Sequence, residues 1–179
     1  MKKLVLLVIA TVVALLASLY FRLGADKDVV ITLEEVGPYQ VAYKNHLGEY
    51  HKIVPIIEEV EKWMKSLGLK CQVSFGEYLD NPESVANDRL RSRGGCVLES
   101  APPMVLPPGI AIGSIPHKRY VKAVFEGAPS LGPLKVYPKM RDFIEEKNLT
   151  HEGSIIELYE VLPDNRVRTT FLFPVTPVQ

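Results

Sequence analysis

The plan strand, helix, strand, strand occurs twice between residues 29 and 173, and this duplication restricts the fold more than any other feature of the chain. In the first copy, residues 29–33 and 39–46 are β-branched and aromatic runs divided by the turn signal Gly37-Pro38. From Tyr50 to Leu67 the residues Ile53, Ile56, Ile57, Val60, Trp63, Met64 and Leu67 recur at three- and four-residue spacing. Glu58, Glu61, Lys62 and Lys65 fall opposite them and Gly68 supplies the stop, so the spacing predicts an amphipathic helix. Strands over 71–79 and 95–99 follow, across a polar loop that opens with Asp80-Asn81-Pro82. The second copy has a strand over 119–126 and a helix over 131–147 with Leu134, Tyr137, Met140, Phe143 and Ile144 inward. A hairpin of 154–161 and 167–173 around Pro163-Asp164-Asn165 closes it. Pro138 removes a backbone donor and predicts a kink in this helix or its true start, and the Pro-rich stretch 102–116 reads as a surface linker.

Two copies are too few for a solenoid, whose units need stacked neighbours. The halves are therefore expected to join edge to edge into one antiparallel sheet of about eight strands with both helices on one face, an α+β fold. Ahead of this module, residues 4–21 carry no charge, and eighteen helical residues span about 27 Å, close to the thickness of a bilayer's hydrocarbon core. A cleavable export signal would show small residues at its cleavage site, whereas Ala17-Ser18-Leu19 ends in a large one and Arg22 follows. The reading is an uncleaved transmembrane anchor over 1–22 and a folded domain over 23–179. Lys2 and Lys3, against Arg22 and Lys27, tilt the orientation toward a domain on the non-cytoplasmic side.

The chain has 21 basic and 21 acidic residues, so no excess positive charge is available to hold a phosphate backbone, and nucleic acid is not an expected partner. Its two cysteines, Cys71 and Cys96, are expected as reduced, structural thiols. A hairpin centred near residue 87 would set Cys96 opposite residue 78 and leave Cys71 about 23 Å away, beyond disulfide reach. Arg89, Arg91 and Arg93 read as a solvated loop, with an anionic headgroup site as the alternative.

Along 154–161, alternation sets Ile155, Glu157, Tyr159 and Val161 on one face and Ile156, Leu158 and Glu160 on the other. The second set suits packing beneath the helices, which leaves the first on the opposite, free face. Laying the halves upon one another places Gly76 where the second half has Glu157, and Tyr78 where it has Tyr159. One acid beside two tyrosines and an empty glycine position makes a sparsely polar hollow suited to organic cations. The alternation alone accommodates more readily the plainer setting, with Glu157 an exposed strand residue and the tyrosines ordinary sheet aromatics.

Several segments resemble the GyrI-like domain: Val41-Ala42-Tyr43-Lys44 leading to His46-x-Gly48-x-Tyr50, Tyr78-Leu79-Asp80-Asn81-Pro82, Asp88-Arg89-Leu90-Arg91, the helix from Tyr137-Pro138 to Ile144, and Ile156-Glu157-Leu158-Tyr159. That family takes in the effector-binding domains of AraC-type and BmrR-type regulators and is related to the SOUL haem-binding fold. The resemblance spans 29–174 and implies a ligand cleft between the halves. It implies that Glu157 faces a hydrophobic, including cationic, small molecule, with Tyr159 and Tyr78 stacking around it and Gly76 opposite. The order of membrane helix then domain is similar to that of the family's testis-expressed ER-phagy receptor. The chain ends at Gln179 without that receptor's long acidic, Ser-rich tail, so its partner function is not expected, and no protein partner is identified.

Some family members are hydrolases of strained cyclopropanoid compounds, which makes Glu157 a general base or nucleophile in an alternative reading; a membrane-tethered interaction adaptor is a third. No G-x-S-x-G or Gly-rich phosphate loop occurs, and His46 and His51 lack the H-E-x-x-H spacing. His117 and His151 are isolated. With no His or Cys on the cleft face, neither haem nor any other cofactor or metal is expected.

Overall fold

The computed structural model describes residues 1–99, 105–163 and 165–178; Asp164 of the expected turn and residues 102–104 of the expected linker lie outside them. The elements are α1 (Lys2–Arg22), β1 (Val30–Val36), β2 (Tyr39–Leu47), α2 (Val54–Ser66), β3 (Val73–Tyr78), β4 (Arg91–Val97), β5 (Ile110–Ile115), β6 (Lys118–Glu126), α3 (Gly132–Glu146), β7 (Leu149–His151), β8 (Ile155–Val161) and β9 (Val167–Pro177). Short 3-10 turns, Tyr50–Ile53 and Pro129–Leu131, lead into α2 and α3, each of which carries proline in its first turn. There the missing N–H costs nothing.

One sheet of nine strands forms, in the order β1-β6-β9-β8-β3-β4-β2-β5 with β7 paired to β9. The fold is thus α+β with an antiparallel sheet and helices on one face. Residues 110–115 prove to be a strand on the edge of β2, where the sequence suggested linker. The copies exchange edges: β1 pairs with β6 of the second half, and β5 pairs with β2 of the first. At the centre, β3 and β8 lie antiparallel with Gly76 opposite Glu157, so the local pseudo-two-fold passes between those two residues.

α2 packs on β2 and β4, and α3 on β6, β7 and β9. Val60 and Met64 seat α2 on Ala42 and Cys96; Val136 and Met140 seat α3 among Val121, Ala123, Phe125 and Phe171. Leu134, expected inward, is 74% exposed, because Val136 and Met140 hold the core-facing positions. The helix runs through Pro138 without ending there.

Ile156 and Leu158 do not lie beneath the helices. They pack on the reverse face with Val41, Phe75, Ile115, Tyr120 and Leu172. These residues come from both wings of the sheet, so that face curls closed upon itself, as the twist of a wide sheet permits. Glu157 and Tyr159 are consequently on the helix-bearing face, the opposite of the sequence expectation.

Cys71 and Cys96 form a disulfide, with Cα atoms 5.5 Å apart, instead of the reduced thiols expected. The hairpin register pairs Cys96 with Ser74, not with residue 78, and Cys71 precedes β3 where the chain is free to turn back. Arg91 and Arg93 likewise belong to β4 and are paired, with Asp80 and Glu77 respectively, in place of the solvated loop expected. The bridge closes 25 residues between the end of α2 and the β3–β4 hairpin. Cys71→Ser or Cys96→Ser, or reduction of the wild type, should lower unfolding free energy by about 3 kcal/mol, read from the denaturant midpoint by circular dichroism. An unchanged midpoint would show that the loop constraint carries no weight.

Candidate functional site

α2 rests mainly on β2 and β4, reaching only the flank of β3, and α3 rests on β6, β7 and β9, so the width over the central strands β3 and β8 is largely without a helix. At about 4.8 Å per strand, this uncovered width is comparable to a helix diameter and leaves a hollow with helical walls and a sheet floor. Its volume is 680 Å³, within the ordinary range for small-molecule sites. Tyr78, Ile155, Glu157 and Tyr159 come from the floor; Ile53, Ile57, Glu58 and Glu61 from the α2 side; Pro129, Pro133 and Tyr137 from the α3 side.

Glu157 is 3% exposed. The Tyr137 hydroxyl donates to Oε1 at 2.7 Å and the Tyr159 hydroxyl to Oε2 at 2.8 Å. Tyr78 Oη lies 3.0 Å from Tyr159 Oη, and the rings of Tyr78 and Tyr50 meet edge to face at 4.8 Å. Tyr50 is fixed in turn, since its hydroxyl donates to the Asp80 carbonyl and accepts from the Asp80 N–H. A chain of phenols therefore runs from the loop after β3 to the carboxyl.

Burial pushes the Glu157 carboxyl above its usual range, and the two tyrosine hydrogen bonds oppose that rise. Burial and the Glu157 charge push the phenols of Tyr78, Tyr137 and Tyr159 upward, so they remain donors at neutral pH. Glu61 is also raised, chiefly by burial. Among the described residues lining the cleft there are four acids, Glu58, Glu61, Asp80 and Glu157, and no lysine or arginine. Asp80 is bound to Arg91, which leaves the negative field of the hollow to the three glutamates.

Of the residues singled out from sequence, Glu157, Tyr159 and Tyr78 line the cleft. Gly76 lies beneath it: a Cβ there would stand 3.1 Å from Tyr78 Oη and 3.4 Å from Ile53 Cδ1, so the glycine admits the Tyr78 ring over the strand. Sequence reasoning took Tyr137 as core and Glu61 as solvent-facing, and it missed Tyr50 as a wall; Glu58 is exposed as expected and borders the cleft. The Pro-led helix starts, common to both copies, were the available signal that both helix N-termini face a shared space. Ser92 and Thr169, paired across strands with Tyr78 and Tyr159, are buried hydroxyls with no hydrogen-bond partner among the described residues. Cys71, Cys96 and Glu61 cluster, but the sulfurs are bonded to each other.

A duplicated antiparallel module with a cleft at its internal two-fold, floored by a buried acid among phenols, is the architecture of a small-molecule-binding domain. The chain belongs to the GyrI-like small molecule binding domain family, whose model matches residues 30–176. The C-terminal domain of EcmrR is similar over 85% of this chain and 100% of that one, at 19% identity and a TM-score of 0.62. EcmrR in its complex with DNA is similar at 15% identity and a TM-score of 0.64, over 84% of this chain and 58% of that one, so the chain spans less than two thirds of that protein. A hydrolase from Listeria innocua is similar at 13% identity and a TM-score of 0.53, over 82% and 91%. At such identities the likeness is one of fold. No curated protein matches the sequence.

Because the folded-state pKa of Glu157 is raised, the native protein binds the proton more tightly than the unfolded chain does. Stability is then lost as pH rises from the ordinary carboxyl value of 4.5 to the raised one, by up to about 1.4 kcal/mol per pH unit in that window. Glu157→Gln should remove this slope. Unfolding free energies measured across the window would decide it, and parallel curves for the two proteins would refute a buried, proton-retaining Glu157.

Proposed function

We propose that this protein binds hydrophobic cations in the cleft between its halves, with Glu157 as the counter-charge and Tyr50, Tyr78, Tyr137 and Tyr159 as the surrounding aromatic surface. One observation carries the reading: a buried acid stands at the bottom of a hollow whose described lining includes further acids and no lysine or arginine, its one histidine, His51, being paired with Glu49 outside the hollow. A cation entering there compensates charge that is otherwise unpaired, and the ring faces add cation–π attraction. Binding is favoured over hydrolysis because both oxygens of Glu157 are already occupied as acceptors of phenolic hydrogens, which leaves neither aimed at a water or an electrophile.

The second part of the reading is that α1 anchors the domain in a membrane. Its 21 residues are long and apolar enough to span one, and none of its side chains is buried. The Cys71–Cys96 disulfide supports a domain on the oxidising, non-cytoplasmic side. The likeness to the ER-phagy receptor rests on the order of helix and domain alone.

The full chain in uncharged nanodiscs should gain about 5–10 °C in melting temperature with phenyltrimethylammonium at 100 times its dissociation constant. The uncharged isostere tert-butylbenzene should give a much smaller gain, and Glu157→Gln should abolish the difference between the two. Cation affinity should also weaken as pH falls through the Glu157 pKa, since the protonated carboxyl no longer offers a charge. Equal shifts for wild type and Glu157→Gln would refute the assigned role.

A further inference from the structure

The chain between α1 and the domain is held down, not loose. The Leu23 carbonyl accepts a hydrogen bond from the Ala128 N–H at 2.9 Å, and the Gly127 N–H donates to the Val167 carbonyl at 3.0 Å. Gly24, at φ +71°, lies so close to the domain that a Cβ would stand 2.7 Å from the Glu126 carbonyl oxygen. Lys135 Nζ donates to the carbonyls of Ala25, at 2.8 Å, and Lys27. Residues 23–27 are thereby fastened to the start of α3 and the end of β6.

These contacts reach the cleft within one residue. Pro129, next to Ala128, and Val167, bonded to Gly127, both line it. The 21 residues of α1 extend about 31 Å, which matches the hydrocarbon core and sets Leu23 at its boundary. The headgroup layer beyond is only about 5–8 Å deep. Val54 and Val161, which also line the cleft, are more than half exposed and give its rim an apolar character. The acidic lining disfavours anionic headgroups and favours positive ones.

From this geometry we infer that the cleft is loaded from the bilayer, and that its ligand is a single-chain amphiphile with a cationic head, delivered along the headgroup layer instead of from bulk water. The inference rests on the readings of the cleft as a cation site and of α1 as an anchor. The short, bonded connection holds the cleft wall at the depth where such amphiphiles concentrate, so membrane partitioning raises their effective concentration. The head is drawn to Glu157 and the chain trails over the Val54–Val161 rim.

The test compares the full chain with a variant carrying ten Gly and Ser residues inserted between Arg22 and Leu23. The insert gives up the bonds of Leu23, Gly24 and Ala25 to the last turn of α1 but leaves the contacts of Leu23–Lys27 with the domain intact, and it spaces domain from membrane by about 16–19 Å on average. Both proteins are reconstituted in phosphatidylcholine vesicles, and loading is followed by stopped-flow protein fluorescence. Dodecyltrimethylammonium should load the native chain about tenfold faster than the insertion variant. Phenyltrimethylammonium, which stays in water, should load both alike. Equal dodecyltrimethylammonium rates, with binding retained, would overturn the membrane route and leave the cation site standing. Failure of either cation to bind the native chain at equilibrium would overturn the cation site, and this inference with it.

Discussion

The antiparallel ladder between β3 and β8 is the interaction on which the rest of the molecule depends. It fuses two wings, each already carrying a helix, and it does so with backbone hydrogen bonds that need no helix above them. The uncovered ladder is thus a by-product of sheet width. Two helices cannot both sit on the wings and also meet over the middle, and the resulting gap is the cleft. Gly76 and Glu157 face each other at its centre, so the internal symmetry fails at the one pair where failure places a carboxyl opposite an empty position.

Burying that carboxyl is costly, and the surrounding phenols show how the cost is contained. Tyr137 arrives from α3 and Tyr159 from the same strand as Glu157, each to a different oxygen. Tyr78 braces Tyr159, and Tyr50 braces Tyr78. The members of this network come from both halves, Glu157, Tyr159 and Tyr137 from the second and Tyr78 and Tyr50 from the first, so it is complete only when the halves have docked. A satisfied network of this kind keeps a polar group in an apolar hollow in one geometry, which is the state of readiness a binding site requires.

Most of the fold was legible in the sequence because its signals are periodic. The three-four spacing from Ile53 to Leu67 gave α2 within a few residues, and the alternation along 154–161 gave β8 and correctly grouped Glu157 with Tyr159. Periodicity separates two faces, however, and does not say which face is which. Helix and reverse face were interchanged because both are apolar here, the reverse face by curling on itself. A helix flank that borders a cleft is neither core nor solvent, and so Glu61 and Tyr137 were assigned to the nearer of the two. β5 was lost among prolines and glycines, since Ile110–Ile115 is short and follows Pro107-Pro108-Gly109. The disulfide was missed through a four-residue error in hairpin register, which only the tertiary setting of the 79–90 loop determines.

The exchange of β1 and β5 between the halves bears on how the chain is made. β1 leaves the ribosome early, yet its neighbour β6 follows some 80 residues later, and β9, which lies beyond β6, is last of all. The wing β3-β4-β2-β5 is complete once β5 emerges at Ile115, whereas the wing β1-β6-β9-β8 waits for nearly all of the polypeptide, so each repeat draws its outermost strand neighbour from the other. Such long-range closure makes for slow acquisition of structure and a long interval in which bare strand edges are open to wrong pairing. A duplicated module wired in this way has given up modular folding, and neither repeat can be cut out and kept as a working miniature of the whole.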